Sequence, residues 1–491
     1  MLFSSYEFLL LFLPLTLLGF AVCRRINAAA ARVWLLAASA VFYGVWSLPY
    51  LGLLSGSIAV NFALGRWLGH LTPGSRPGRA VLSLGVVFNL GLLGWFKYAG
   101  FLVESAADLF GTSWSLGPII LPLAISFFTF QQLAFLVDAY RSHTPTGSFV
   151  DYALFVLFFP QLIAGPIVQH SDILPQLKDD RRLRLRWESV AMGIALFVVG
   201  LFKKVVIADS LAPTADAVFE LAASGSLVST ADAWLGTLAY TLQLYFDFSG
   251  YSDMAIGLGW LFGLRLPQNF NAPYQAVNII DFWRRWHITL SQFLRDFLYI
   301  PLGGNRGTQG RRYANLFITM LLGGLWHGAG WTFILWGGLH GLYLTANHAW
   351  RAVVQRAACS WTGSLGWRVA ARGTTFLAVM AGWVVFRADS LPAAGNVLGG
   401  LIGRHSDRTT TAIESSLLLP LLLLTIAVQL LPTIYQTLPD PETAAPGLLK
   451  LGRLGRFVRR PAGWHGAALA AAFLVCLSLL TRVKEFLYFQ F

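Results

Sequence analysis

The strongest constraint on this chain is the recurrence of apolar runs of membrane-crossing length, separated by short clusters of arginine and lysine. At about 20 residues per full crossing, runs suited to spans or half-spans fall near 2–22, 33–48, 50–68, 80–97, 117–137, 149–169, 189–207, 232–246, 252–264, 313–327, 331–348, 369–386, 415–432 and 464–481. The sequence is 56% hydrophobic and only 12% charged, about half the charged share of soluble domains. A polytopic membrane protein follows. Glycine and proline are scattered without a ten-residue alternation, which favours helices over an outer-membrane barrel. The expected fold is all-α, with about 11 transmembrane helices plus re-entrant and interfacial helices. It forms a single membrane-embedded domain over 1–491, with its functional core at 149–350.

The net charge of +13 would raise nucleic acid as a partner in a soluble protein. Here the basic residues sit between apolar runs, where the positive-inside rule places them. Membrane lipid is therefore the expected surroundings, with no nucleic acid. Clusters at Arg24/Arg25/Arg32, Arg66/Arg76/Arg79, Lys178–Arg186, Arg284–Arg312 and Arg351–Arg372 mark the cytoplasmic side. Cys23, Cys359 and Cys476 lie far apart, with no Cys-x-x-Cys, so neither a zinc knuckle nor a disulfide framework is indicated. Leu2–Val22 lacks a basic segment before it and carries Glu7. It reads as a retained first span with its N-terminus outside.

Two conflicts in the charge map carry topological information. The run 149–169 has Arg141 before it and Lys178, Arg181, Arg182, Arg184 and Arg186 after it. Its interior, Phe158-Phe-Pro-Gln-Leu-Ile-Ala-Gly-Pro166, holds helix breakers. A re-entrant segment satisfies both facts, provided it is buried in protein or lines a wet cavity. The second conflict concerns the runs 313–327 and 331–348, flanked by Arg311/Arg312 and Arg351/Arg356. Both outer ends read as cytoplasmic, so the two runs form a hairpin. An arm over 313–327 rises about 22 Å, short of the roughly 30 Å hydrocarbon core. His327, at the tip, is expected deep in the membrane and approached from the cytoplasm. Residues 438–463 are expected to form a loop before the last span.

Most chemistry-bearing residues lie between Tyr245 and Tyr343. His327 is an intramembrane ionisable group, which favours a functional role, and Gly328 and Gly330 leave room beside it. A histidine merely satisfied by a neighbouring helix is the alternative, as for His340 and His348. The segment 282–298 is amphipathic: Phe282, Trp286, Leu290, Phe293 and Phe297 share one face, and Arg284, His287, Ser291 and Arg295 another. It reads as one interfacial helix, with His287 on its polar face. Arg284 and Arg285 are the candidates for holding an anionic cofactor, against a purely topological role. Asp247 and Asp253 read as buried anchors, with Asp247/Tyr251 and Ser249/Asp253 at helical i, i+4 spacing. No metal motif, nucleophile elbow or P-loop occurs.

These pieces together resemble the membrane-bound O-acyltransferase family, in its bacterial branch of alginate O-acetylases and related polysaccharide and teichoic-acid acylating proteins. The resemblance rests on Phe159–Ile167, Tyr245–Gly257, Gln268–Tyr274, Asp281–Ser291, Tyr299–Asn305, Leu325–Ala329, Val385–Ala388 and Tyr488–Phe491. It implies that His327 is the family's invariant histidine and His287 its second motif histidine, both catalytic. It implies an acyl group taken from a cytosolic thioester, acetyl-CoA, with no bound cofactor or metal. The acetyl group would pass across the inner membrane to an exported polysaccharide, alginate first among them, with help from periplasmic partner proteins. A transporter or channel without bond chemistry is the rival class, because mid-membrane polar groups and broken segments occur there too. Within the family the rival is an acyltransferase acting on another polymer (peptidoglycan, cellulose or teichoic acid), on a lipid or on a protein.

Overall fold

Long helices begin here where a polar cap or a proline meets an apolar run. The Asn27, Ser75, Thr308 and Ser364 side chains each accept from a backbone N–H of the turn they open, satisfying donors a helix start leaves orphaned. Pro49 and Pro77 occupy first-turn positions, where no N–H is needed. The computed structural model describes residues 1–141, 147–183, 186–356, 364–405, 417–437, 463–482 and 486–487. Among the described residues the secondary structure is helical, with no strand. The expected loop at 438–463 lies outside them but for Gly463, and so does the motif Tyr488–Phe491.

The chain divides into two compact units, residues 1–200, 251–267 and 488–490, and residues 201–250, 268–487 and 491. The first contains α1 (Leu13–Ile26), α2 (Ala28–Gly44), α3 (Leu48–Gly69), α4 (Arg76–Leu93), α5 (Ala99–Phe110) and α6 (Ile125–Arg141). Buried polar pairs join these helices. Asn89 Nδ2 donates to Asn61 Oδ1 at 2.6 Å and the reverse bond is 3.2 Å, while Gln132 donates to Ser57 at 3.1 Å. Such pairs hold helices together where lipid offers no competing hydrogen bond.

The segment 149–169 is broken and buried. It runs as α7 (Phe149–Leu157), then α8 (Phe159–Leu162), then irregular backbone into α9 (His170–Lys178). Residues 151–168 are buried throughout, and neither short helix is long enough to cross a bilayer. Arg32 reaches Asp151 at 3.2 Å near the segment's start, and the Leu177 carbonyl at 2.7 Å beyond its end. Both flanks therefore gather at one end of α2, the geometry a re-entrant segment requires.

Among the described residues, six stretches are long and apolar enough to cross a membrane, by length and composition: Glu7–Ile26, Leu48–Gly69, Arg76–Phe110, Trp187–Ala223, Leu365–Arg387 and Leu418–Gln436. The expected count of eleven is not reached by that test, because several expected spans are shorter or more polar helices. Two expected runs, 232–246 and 252–264, prove to be one 32-residue helix, α12 (Thr230–Leu261). Nothing between Phe246 and Ser252 breaks a helix, and the acids that interrupt its hydropathy are buried within it. Its first part, to Gly250, belongs to the second unit. Before it come α10 (Trp187–Phe202), a π turn over Lys203–Ala208, and α11 (Asp209–Ala223). The π turn presents Lys204 to Asp247 at 2.6 Å and to Asp209 at 2.7 Å, and the Leu487 N–H donates to Asp247 at 3.1 Å.

The second unit continues through α13 (Ile279–Trp283), α14 (Ile288–Leu294), α15 (Gln309–His327), α16 (Trp331–Arg356), α17 (Leu365–Arg387), α18 (Leu391–Leu401), α19 (Leu418–Leu430) and α20 (Gly463–Leu479). α15 and α16 form the expected hairpin. Its arms are longer than the sequence reading allowed, since α15 starts at Gln309 behind the Thr308 cap and has 19 residues, a rise of about 28 Å. The backbones touch: a Cβ on Gly337 would meet the Met320 carbonyl and lie 3.1 Å from the Gly324 Cα. The His327 ring packs 5.4 Å from Phe386, in the last turn of α17. The tip thus sits level with the far end of α17 from Arg368 and Arg372.

Candidate active site

The expected single helix over 282–298 does not form. His287 adopts φ +42, a left-handed conformation that costs a non-glycine residue about 1–2 kcal/mol, and it separates α13 from α14. What holds it there is the extended segment around Asn269. The Ile288 N–H donates to the Asn269 carbonyl at 2.9 Å, and the Asn271 N–H donates to the Arg285 carbonyl at 2.9 Å. The Asn269 side-chain oxygen also takes the Thr289 hydroxyl at 2.9 Å and lies 3.0 Å from His287 Nδ1. This break is a correction to the amphipathic reading: apolar periodicity survives across 282–298, but side-chain bonding at Asn269 overrides helix continuity.

Its consequence is large. His287 is not on a polar face; it is fully buried, at 0% exposure, edge-on to Phe248 with ring centroids 4.8 Å apart. With Asn269 Oδ1 accepting, Nδ1 of His287 carries the proton, and Nε2 is left as the proton-accepting nitrogen. Burial pushes the imidazole down to about 3, so it is neutral at physiological pH.

The structure brings both candidate histidines onto one indole. Trp326 lies 6.3 Å from the His287 ring and 4.9 Å from the His327 ring. Trp336 meets His327 edge-on at 5.0 Å and continues to His340 at 4.8 Å. The sequence-based separation of His287 at the surface from His327 in the interior is therefore replaced by one buried aromatic cluster. His340 accepts from the Trp283 indole N–H at Nδ1, 3.2 Å; its Nε2 makes no hydrogen bond among the described residues and faces Gly382.

The two arginine candidates part company. Arg285 is half-buried and committed, to Asp281 at 2.8 Å and more loosely to the Asn271 carbonyl at 3.4 Å. Arg284 is exposed. Asp247 is an anchor, as expected, and its partner Lys204 was not anticipated because no spacing rule links them. Asn269 and Trp326 also escaped the residue-level reading. A signal existed for Asn269, which sits inside the quoted Gln268–Tyr274 stretch.

Comparison with known proteins identifies the family. Residues 139–363, which contain both histidines, match the model of the membrane-bound O-acyltransferase family. The chain is 44% identical to a peptidoglycan O-acetyltransferase of Helicobacter pylori, over 82% of this chain and 80% of that one. It is 45% identical to a probable alginate O-acetylase AlgI of Azotobacter vinelandii, over 91% and 87%. A probable alginate O-acetylase AlgI of Pseudomonas aeruginosa is 46% identical, over 80% and 73%. The chain belongs to the membrane-bound O-acyltransferase family. It is a multi-pass membrane acyltransferase, and the resemblance read from its motifs holds over most of its length. Within the O-acyltransferase match fall the re-entrant segment, the Asn269–His287 break and the α15–α16 hairpin as far as the C-terminal end of α16.

Proposed function

We propose that this O-acyltransferase takes an acetyl group from acetyl-CoA at the cytoplasmic face of the inner membrane and passes it toward hydroxyls of an exported polysaccharide, alginate being the best-supported polymer. The observation that carries this reading is the packing of His287 and His327 on Trp326, inside a water-poor cluster. His327 takes the acceptor hydroxyl's proton as that oxygen attacks the thioester carbonyl. The tetrahedral intermediate then collapses, expelling the CoA thiolate, which takes the proton back from the His327 imidazolium and leaves as the thiol. General-base assistance of this kind is worth about 10²–10⁴-fold. His287, whose protonated nitrogen is held by Asn269, positions the donor or acceptor through Nε2. Periplasmic partner proteins complete delivery to the polymer.

Alginate is favoured by the names of the Azotobacter and Pseudomonas relatives, and peptidoglycan is the second reading, favoured by the Helicobacter relative. Mass analysis of both polymers from a deletion strain decides between them by which one loses its O-acetyl groups. The catalytic assignment is tested by returning His327→Ala to that strain. Acetylation should stay absent while the variant is expressed and inserted; a normally acetylated polymer would refute it.

A further inference from the structure

Helix α17 has 23 residues and rises about 34 Å, enough to cross the roughly 30 Å hydrocarbon core. Arg387, at its end, therefore lies on the face opposite Arg368 and Arg372. There it pairs with Asp216 of α11 at 3.2 Å, and α18 begins shortly after, behind the Ser390 cap. The other end of α18 is fixed to the connection between α11 and α12. Asn396 donates to the Ser226 carbonyl at 2.5 Å, and the Val228 N–H donates to the Asn396 oxygen at 3.1 Å. The Trp234 indole donates to the Leu401 carbonyl at 3.1 Å. With both ends tied to one face, α18 lies along that face and does not re-cross.

Beneath α18 runs a groove of about 480 Å³. Leu377, Met380 and Ala381 of α17 form one wall, and Gly395 and Leu398 of α18 form another. Trp234 and Arg404 complete the lining, and both are exposed. Arginines are scarce on this face by the positive-inside rule, and Arg387 is offset there by Asp216 and Asp389. Arg404 is not: its guanidinium makes no ion pair among the described residues.

Size and depth choose the occupant. Leu377 precedes Arg387 by ten residues, which sets it about 15 Å deeper, half the hydrocarbon core and so the depth of one leaflet. Spread over that depth, the groove has a cross-section of about 32 Å². That is too narrow for a helix, which is about 10–12 Å across, and it suits an extended hydrocarbon chain. A chain lying there brings its headgroup to the interface, where a guanidinium can take a phosphate with paired N–H donors. Trp234 stands at the same level, where interfacial tryptophans gather.

We propose that the groove between α17 and α18 binds an anionic phospholipid of the leaflet opposite the basic clusters, with one acyl chain against Leu377 and Met380 and the phosphate on Arg404. The site uses neither His287 nor His327 and stands apart from the acyl-transfer reading.

The test uses the full-length protein, stripped of lipid in detergent and titrated with phosphatidylglycerol or phosphatidylethanolamine. A lipid that binds the folded state raises the thermal midpoint, so the dose needed for a given rise reads affinity. Wild type should need about fivefold less phosphatidylglycerol than phosphatidylethanolamine, the effect of one arginine at a charged membrane surface. Arg404→Gln, at an exposed position, should lose that preference while its lipid-free midpoint stays at the wild-type value. Arg404→Lys should keep part of it, as a point charge without the fork. Gly395→Phe fills the groove from a position where a Cβ meets nothing within 4 Å. It should hold one phosphatidylglycerol fewer than wild type when bound lipids are counted by native mass spectrometry, with its lipid-free midpoint preserved. Equal doses of the two lipids in wild type overturn the proposal, as does an Arg404→Gln protein with the preference intact. A Gly395→Phe protein that holds as many lipids as wild type overturns it too, since the chain would then lie elsewhere.

Discussion

Removing the Asn269 side chain tests the whole construction of the site. Asn269 is fully buried, and its oxygen serves His287 Nδ1 at 3.0 Å, the Thr289 hydroxyl at 2.9 Å and, weakly, the Thr289 N–H at 3.4 Å. Asn269→Ala leaves the two close donors buried without an acceptor, each costing about 1–3 kcal/mol. The left-handed His287 also loses part of what offsets its strain. A total near 3 kcal/mol is expected, or roughly a 3 °C fall in the apparent thermal midpoint of the detergent-purified protein at the unfolding entropy of a chain this long. Transfer should fall by more than stability explains, because the imidazole is then free to exchange tautomers and present an N–H where a lone pair is needed. Asn269→Asp separates the two effects. The carboxylate keeps the acceptor, so folding is largely preserved, but its charge favours the imidazolium and raises the His287 pKa from about 3. Transfer by this variant should therefore decline as pH is lowered through the mildly acidic range, over which wild-type His287 stays neutral. An Asn269→Ala protein with wild-type midpoint and wild-type transfer rate would refute the argument.

Three other outcomes are expected. His287 is depressed in the folded state, so its contribution to stability is complete above the unfolded value of about 6.5 and is lost as pH falls from there toward 3, at about 1.4 kcal/mol per pH unit; the midpoint-versus-pH slope between 6.5 and 5 should flatten in His287→Gln, and an identical slope would sink the claim. Gly337→Ala drives a methyl into the Met320 carbonyl, forcing α15 and α16 apart at a cost of about 1–3 kcal/mol and displacing His327, whereas Gly373→Ala, with open space around it, should be silent in both midpoint and activity. Lys204→Met strands Asp247 and Asp209 and should destabilise by about 3–5 kcal/mol; adding Asp247→Asn should restore part of it, and strict additivity would show that the pair is not coupled.

Much of the fold was legible from composition and charge because lipid imposes simple rules. Apolar length measures crossings, arginine placement measures sidedness, and together they point to the re-entrant segment and the α15–α16 hairpin. Where the sequence reading went astray, local pattern met a competing tertiary interaction. The acids in α12 look like a break in an apolar run, but Lys204, distant in sequence, compensates Asp247 and the helix runs through. The periodicity of 282–298 is that of one helix, but Asn269 bonds into its middle and turns His287 left-handed.

By itself the sequence determined the membrane setting, the all-helical class, the family, and the two histidines on which the chemistry is proposed to turn. These follow from residue identities and from solvent physics acting on each segment alone. Only the tertiary structure decided that His287 is buried, that it shares Trp326 with His327, that Arg285 is spoken for by Asp281, and that Arg312 sits beside His348. Each of those depends on which distant groups are brought within a hydrogen bond's reach, and no periodicity along one segment encodes that.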